Sequence, residues 1–341
     1  PPYFREHNLW HELENGVGLW AREGPRVNIV DWPEDPGAEG GISVYEGRLR
    51  EMASRLDAAP IQAVVSALPR PNQAYWTLSA LWAGWLWGRE AIGPFASVLR
   101  RRRYDWSWHS EALHSSLTHL QQLPEGTPFL GIVNESEAGF NAAALVAANL
   151  AGFRLEGLAL RREQSEMQAH WTLSSPNEER PRDLSSAIAD VARATLNERG
   201  EPSHFLQLQA AALQSLASYE GMAGSSEEAG DLYSEIRGEI EVGLNFRSGF
   251  LRYGGSDKSV ETGLWWLRDE SAARDTLADR VEIAVVRSLV RKPGQSSQEI
   301  DEAICRIFPG LLTPARSLVM EALASYGEET ADGWQLRDED V

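Results

Sequence analysis

Short apolar runs alternate with segments of helical spacing through the first half of the chain, and this alternation constrains the fold more than any other feature. Residues 26–31, 61–67 and 128–134 are mostly apolar without strict polar alternation, which is typical of buried strands. Residues 73–87 and 138–150 carry apolar side chains at helical spacing. The pattern predicts an α/β fold with a Rossmann-like sheet that helices cover on both faces.

The chain is predicted to fall into three parts. An antiparallel strand pair over 153–161 and 167–173 closes the first sheet, and a linker rich in Ser, Pro and charged residues follows it. The predicted parts are a methyltransferase-type α/β domain over 1–175, a mainly helical segment over 176–276 and a C-terminal domain over 277–341.

The C-terminal domain carries the pattern of a winged helix. Helical spacing recurs over 279–290, 298–308 and 314–326, and a turn-rich segment then leads to a terminal strand pair. Ser296 and Glu299 have the three-residue separation of a capping box at the start of the second helix. Three helices followed by a strand pair predict a winged-helix domain.

The charge of this winged helix favours a protein partner over DNA. Its third helix offers only Arg316 against Glu321, and the turn that follows is acidic, with Glu328, Glu329 and Asp332. A helix that reads DNA needs basic residues to contact the phosphate backbone. We therefore expect this domain to bind protein rather than nucleic acid.

Acidic residues outnumber basic ones throughout the chain. There are 50 Asp and Glu against 32 Lys and Arg, a net charge of −18, and none of the three parts is basic. The local exception is the run Arg100, Arg101, Arg102 and Arg103, which lies next to aromatic residues. Arginine interleaved with aromatic residues is typical of contacts to single-stranded nucleic acid. The alternative is a helix end whose arginines pair with surplus acids.

Composition also indicates the cellular compartment. One cysteine, Cys305, excludes an internal disulfide framework and a cysteine-based zinc site. No apolar run approaches the roughly 18–20 residues that span a bilayer, so no membrane contact is expected. No signal peptide is visible, and the cytoplasm is the expected compartment.

The histidines do not form a metal-binding pattern. His7 and His11 lack the internal glutamate that follows the first histidine of a zincin helix. His109, His114 and His119 lie five residues apart, which places them poorly for one helix face. We interpret the histidines as solvated or capping residues and expect no metal.

Tryptophan is unusually frequent, with 13 residues, and four of them lie within 73–87. These four are Trp76, Trp82, Trp85 and Trp87. Their position on one helix favours a place in the core, whereas an exposed subset would mark an interface with another molecule.

The segment IQAVVSALPRPNQAYWTLSALWAGWLW, residues 61–87, resembles the fourth motif of adenine-specific DNA methylases, in which a strand ends in Asp/Asn-Pro-Pro-Tyr and an aromatic-rich helix follows. The later strand–helix–strand segment over 128–161 resembles the continuation of the same catalytic domain. The resemblance implies a methyltransferase fold, S-adenosylmethionine as cofactor and transfer of a methyl group to a base amine. It implies that Pro69, Arg70 and Asn72 line the pocket of the flipped base.

The departures from the motif fall on the residues that carry the chemistry. Ala67 stands where the family has Asp or Asn, Leu68 replaces the first proline, and Arg70 replaces the aromatic residue. Two functions stay open. The chain is either a methylase that transfers a methyl group, or a non-catalytic subunit that uses the same fold and the winged helix for protein contacts in a nucleic-acid-processing or defence complex.

The segment over 29–41 is the candidate cofactor loop. A cofactor site of this class needs a Gly-rich turn after the first strand and an acid for the ribose hydroxyls. Asp31, Gly40 and Gly41 are the candidate residues of this turn, and Glu46 is the candidate ribose acid. The alternative interpretation is an ordinary surface loop.

Overall fold

The computed structural model describes residues 27–38, 40–53, 61–70, 73–100, 105–161, 163, 166–174, 181–245, 249–256 and 258–337. The chain divides into two compact units, Pro1–Ala59 and Pro60–Val341. Helices and strands are both abundant, which confirms the predicted mixed α/β class. The predicted division at 175 and 276 stays a prediction.

The first unit contains a small parallel strand pair. β1 (Ile29–Asp31) lies beside β2 (Ile42–Val44), with Ile29 opposite Ile42, and helix α1 (Leu49–Ala53) follows. Among the described strands these two pair only with each other. The described residues of the connecting loop contain no helix, whereas a parallel crossover normally needs a dozen or more residues and a helix.

The second unit is built on a four-stranded mixed sheet with the strand order β3-β4-β6-β5. Its strands are β3 (Val64–Ala67), β4 (Pro128–Asn134), β5 (Phe153–Arg161) and β6 (Glu166–Leu173). β3 and β4 are parallel, and β6 pairs antiparallel with both β4 and β5. The last strand along the chain is therefore inserted between two earlier ones, and β3 forms one edge of the sheet.

The helices between these strands follow the predicted pattern. They are α2 (Gln73–Trp87), α3 (Ala96–Leu99), α4 (Trp106–Leu117) and α5 (Ala138–Leu150), with a 3-10 helix over Arg89–Phe95. The bounds of α2 and α5 agree with the prediction. α4 begins at Trp106, because Asp105 caps it by accepting the backbone N–H of Trp108.

Burial alternates along the strands of this sheet. Phe129, Met167 and Trp171 are buried on one face, whereas Gln168 and His170 on the other face are exposed. The apolar runs predict burial on both faces. The observed sheet instead has one mostly buried face and one more exposed face, because β6 carries a polar residue at every second position along its middle.

Helix α5 lies at the centre of the second unit, and residues 139–149 are all buried. Its many alanines allow α4 and the sheet to approach closely. Trp106 of α4 stacks on Phe140 with the ring centroids 5.7 Å apart. The same indole lies against Gly139, where an added Cβ would be 2.3 Å from the ring. A helix buried all round forms the core here.

Three helices and a small sheet follow along the chain. They are α6 (Leu184–Arg199), α7 (Phe205–Leu216) and α8 (Ala229–Leu244), with β7 (Ser203–His204), β8 (Phe250–Tyr253) and β9 (Leu264–Leu267). β9 is the central strand and pairs antiparallel with β7 and β8. Strand β7 was not predicted, because two residues are too few to show a period.

The C-terminal block consists of three helices and a strand pair, as predicted. They are α9 (Leu277–Arg291), α10 (Ser297–Ile307), α11 (Arg316–Tyr326) and the antiparallel strands β10 (Gly327–Thr330) and β11 (Gly333–Leu336). Ser296 and Glu299 form the predicted capping box. Buried aliphatic residues of all three helices make one core, in which Val285, Ile304 and Leu323 are almost inaccessible to solvent.

Helix α2 is the main exception to the predicted core. Trp82 is 47% exposed, Trp85 78% and Trp87 75%, and the neighbouring leucines Leu81 and Leu86 are also exposed. The interpretation of these tryptophans as core residues is wrong for all three. The helix contacts the 3-10 segment that follows it, where Gly84 lies against the Ile92 side chain. None of the helices in the described ranges has both the length and the apolar character required to cross a bilayer.

Candidate functional site at the ends of the parallel strands

The parallel strands β3 and β4 end side by side, and the loops after them carry the candidate catalytic residues. β3 ends at Ala67 and β4 at Asn134, with Ala67 in register with Ile132. In α/β sheets the ligand-binding crevice lies beyond the carboxyl ends of such strands. The loop after β3 carries Pro69 and Arg70, whereas Asn72 lies outside the described residues.

Arg70 is held by two carboxylates from the loop after β4. Its Nη1 donates to the carboxylate of Glu135, and its Nη2 lies 2.5 Å from Glu137 Oε1. The backbone oxygen of Arg70 accepts a hydrogen bond from Trp76 Nε1 at 3.2 Å. The Arg70 side chain is only 25% exposed, and its charge-assisted hydrogen bonds join the loop after β3 to the loop after β4.

These two glutamates were not predicted as site residues. The signal that could have revealed them is the sequence Glu-Ser-Glu over 135–137, directly after a buried strand. Glu135 has a φ of 55°, in the left-handed region that a non-glycine residue rarely adopts. Their pairing with Arg70 depends on residues 65 and 67 positions apart, a separation that sequence periodicity does not report.

The other motif positions have ordinary structural surroundings. Ala67 and Pro69 are exposed, and Leu68 is buried with its backbone N–H bonded to the Ile132 oxygen at 2.8 Å. Ala67 has no side-chain acceptor for the hydrogens of an amine. A base amine is activated when a side-chain oxygen and a backbone carbonyl accept its hydrogens. The side-chain oxygen is therefore missing at this position.

His109 lies directly below this loop and is 5% exposed. Burial has the larger effect on its pKa and lowers it to about 4. A hydrogen bond to the Pro69 backbone acts in the opposite direction and raises the pKa. Because proline has no N–H, its carbonyl oxygen is the acceptor. His109 also packs edge-on against Phe140 and Trp106. The prediction that the histidines are solvated or capping residues is wrong for His109.

Three buried polar atoms, one each on α4, α5 and α7, have no hydrogen-bond partner among the described residues. They are His109 Nε2, Asn141 Nδ2 and Gln209 Oε1. Asn141 accepts from Ser136 Oγ at 2.9 Å, and Gln209 donates to the Ala138 oxygen at 3.1 Å. Buried polar atoms of this kind usually bind a protein partner or an ordered water. The three atoms therefore have hydrogen-bonding capacity that the described residues leave unused.

The candidate cofactor residues lie in the first unit. Asp31 ends β1, Glu46 follows β2, and both are exposed. Gly40 has a φ of 81°, and its N–H donates to the Gly37 oxygen at 3.0 Å. At Gly41 an added Cβ would be 2.4 Å from the Asn28 oxygen, so the packing of the loop itself requires this glycine.

The candidate nucleic-acid contact is described only at its first residue. Arg100 is exposed just after α3, whereas Arg101, Arg102 and Arg103 lie outside the described residues. Within the described ranges, no group of His, Cys, Asp and Glu side chains has an arrangement that could hold a metal ion.

The chain was compared with protein-family models, curated proteins and solved structures, and it matches none of them.

Proposed function

We propose that this chain is a non-catalytic, methyltransferase-like subunit that acts through contacts with other proteins in a larger complex. The observation that carries this proposal is the ion pairing of Arg70 with Glu135 and Glu137. In the family that the sequence resembles, an aromatic residue at this position stacks on the flipped base. Here a cation replaces it, and two carboxylates bind that cation.

The missing acceptor at Ala67 supports the same conclusion. An amine becomes nucleophilic only when a carboxylate or amide, together with a backbone carbonyl, accepts its hydrogens. Ala67 supplies no side-chain oxygen, and the Pro69 backbone already bonds with His109. The described residues of the motif therefore lack the side-chain acceptor that helps to activate the amine.

The sheet supports the methyltransferase-like part of the proposal. The segment that resembles the later part of that catalytic domain forms β4, α5 and β5, and β6 closes the sheet antiparallel to β4 and β5. The order of three helices and an antiparallel strand pair supports a winged-helix identity for the C-terminal block. Such shared folds guide the proposal but do not define an activity.

The exposed face of α2 supports the role in protein contacts. The apolar side chains of Leu81, Trp82, Trp85, Leu86 and Trp87 are each at least 47% exposed. The rings of Trp82 and Trp85 lie with their centroids 5.3 Å apart, and exposed apolar side chains grouped in this way usually mark an interaction surface. Tryptophan in particular is enriched where proteins bind each other.

The second candidate is an active methyltransferase that uses S-adenosylmethionine. The unpartnered buried atoms His109 Nε2 and Asn141 Nδ2 favour it, because they lie at the strand ends where the substrate would bind. In this case the cofactor residues would be Asp31, Gly40, Gly41 and Glu46, and the run beginning at Arg100 would contact a nucleic-acid strand.

Cofactor titration distinguishes the two candidates. We expect no heat of binding when S-adenosylmethionine is titrated into the full chain up to high micromolar concentration. We also expect no transfer of a labelled methyl group to single-stranded or duplex DNA or to RNA. Methyl transfer to any of these substrates would overturn the proposal and establish the second candidate.

Photo-crosslinking tests the role in protein contacts. A benzophenone amino acid replaces Trp85 in the full chain, expressed in its own host, and the same amino acid replaces exposed Asp190 on α6 as a control. We expect a discrete protein adduct from position 85 and none from position 190. Equal labelling from both positions would contradict a specific contact at α2.

A further inference from the structure

A groove between α9 and α10 concentrates the basic residues of the C-terminal block. The cavity has a volume of about 710 Å³. Five of the seven basic residues in 277–341 line it, although the same segment holds twelve acidic residues. They are Arg280, Arg287, Arg291, Lys292 and Arg306. These cations lie on α9 and α10 rather than on α11, whose only basic residue is Arg316.

The charges of the groove are largely available to a ligand. Arg287 and Arg291 are exposed and have no ion-pair partner among the residues that the structure describes. Lys292 Nζ lies 3.3 Å from Glu299 Oε1, and Arg306 Nη2 lies 3.7 Å from Glu302 Oε2. Both of these pairs are exposed to solvent, where such contacts contribute little. A stronger acidic ligand can therefore compete for these two cations as well.

Arg280 has a structural role at the inner end of the groove. Its Nη2 donates to the Glu198 backbone oxygen at 2.5 Å, and its guanidinium lies 5.9 Å from the centre of the Phe308 ring. These contacts connect α9 to α6. The cations at the opening of the groove are those on the later turns of α9.

The floor of the groove is apolar. Ile283 and Ile307 are 50% and 56% exposed, and Ala284 and Phe308 lie buried beneath them. Arg287 and Arg291 are four residues apart on the same helix face, so the cations form a row beside this floor. A phosphate backbone would leave the isoleucines uncovered, whereas an amphipathic helix would bury them and pair its acids with the row.

We propose that this groove binds an amphipathic helix of a partner protein, with apolar anchors on the floor and acidic residues against the cationic rim. Charge complementarity identifies the occupant, because a basic groove favours an acidic partner. The basic groove lies on a chain whose net charge is −18. At physiological ionic strength the screening length is about 8 Å, so the nearby rim outweighs the distant acids. The inference rests on the proposed function in that both have the chain act through contacts with other proteins.

Fluorescence anisotropy on the full chain tests the proposal. The probe is a labelled 15-residue helix of leucine and glutamate with leucine at positions i, i+3, i+4 and i+7. Two comparison peptides have scrambled order or lysine for glutamate. We expect saturable binding of the probe, about tenfold weaker binding of both comparison peptides, and weaker binding as salt increases.

Substitutions inside and outside the groove test where the probe binds. Arg287→Glu and Arg291→Glu are each expected to weaken binding about tenfold, whereas Arg316→Glu, an equal charge change outside the groove, leaves it unchanged. Ile283→Asn is expected to weaken binding, whereas Val290→Asn, at an exposed position of α9 outside the groove, is not.

Three outcomes would overturn the inference. The first is probe binding that is indifferent to Arg287→Glu and Ile283→Asn, and the second is no probe binding at all. The third is an oligonucleotide that binds more tightly than the probe with the same dependence on Arg287 and Arg291, which would make the groove a phosphate site. None of these outcomes changes the result of the cofactor titration, so the failure of this inference is distinguishable from the failure of the proposed function.

Discussion

Arg161 at the end of β5 forms a bidentate ion pair with Asp301 on α10. Its Nη1 and Nη2 donate to the two carboxylate oxygens at 3.0 and 2.8 Å, and its Nε donates to the Pro314 backbone oxygen at 3.1 Å. Both side chains are less than 15% exposed. The pair therefore joins the edge strand of the four-stranded sheet to the C-terminal block through nearly buried charges.

Removing one partner of this pair should destabilise the chain. We expect Asp301→Ala to lower the free energy of unfolding by about 3 kcal/mol, because Arg161 would keep a nearly buried charge without a counter-ion. The double variant Arg161→Met, Asp301→Leu should recover much of this loss, because neither charge remains buried. Urea unfolding measures both. The exposed pair of Arg193 and Asp190 is the control, and Asp190→Asn should change stability by less than about 0.5 kcal/mol.

Burial of His109 should make stability depend on pH. In the folded chain its pKa is about 4, below the ordinary value of 6.5, so the unfolded chain binds the proton first as the pH falls. The contribution of neutral His109 is present above about pH 6.5 and is lost progressively toward pH 4. The difference of about 2.5 pH units corresponds to about 3 kcal/mol.

The variant His109→Asn isolates this effect. Its amide can replace the ring N–H that donates to the Pro69 carbonyl, but it does not titrate. We expect the stability difference between the native chain and the variant to shrink as the pH falls from 7 to 4, measured by urea unfolding at each pH. A difference that is constant across this range would show that His109 titrates normally.

The exposed tryptophans of α2 should contribute little to stability. We expect Trp85→Glu and Trp87→Glu to change the free energy of unfolding by less than about 0.5 kcal/mol, because both side chains are mostly in solvent. They should also reduce the binding of a dye that reports exposed apolar surface. Trp171→Ala is the contrast, with an expected loss of about 3–5 kcal/mol, because this indole is 1% exposed. A large loss from the α2 variants would place that helix in the core.

A methyl group added at Gly131 should overpack the sheet. A Cβ there would lie 2.4 Å from the Trp171 ring, so we expect Gly131→Ala to cost about 1–3 kcal/mol in urea unfolding. Gly157 on β5 is the matched control, since an added Cβ meets nothing within 4 Å. Equal effects at both positions would mean that the indole can move aside.

The sequence was a good guide to elements that depend on local spacing. The bounds of α2, β4, α5 and β5 follow from runs of apolar residues and from the turn residues that end them. The capping box at Ser296 and Glu299 was equally predictable, because both partners lie within one helical turn. Information of this kind is contained in a few consecutive residues.

Relations between distant residues were not predictable in this way. The helical spacing of α2 gave no sign that Trp85 and Trp87 would stay exposed, because spacing shows which residues share a face but not whether another element covers it. The same limit applies to Arg70, whose partners Glu135 and Glu137 follow a different strand.

Charge shows the division between sequence and structure most clearly. The sequence by itself determined the α/β class, the elements and the net charge of −18, because these depend on composition and on neighbours along the chain. Only the tertiary structure decided that Arg70 is paired at the strand ends and that cations of α9 and α10 gather in one groove. Electrostatic interactions depend on distance in space, and folding sets that distance.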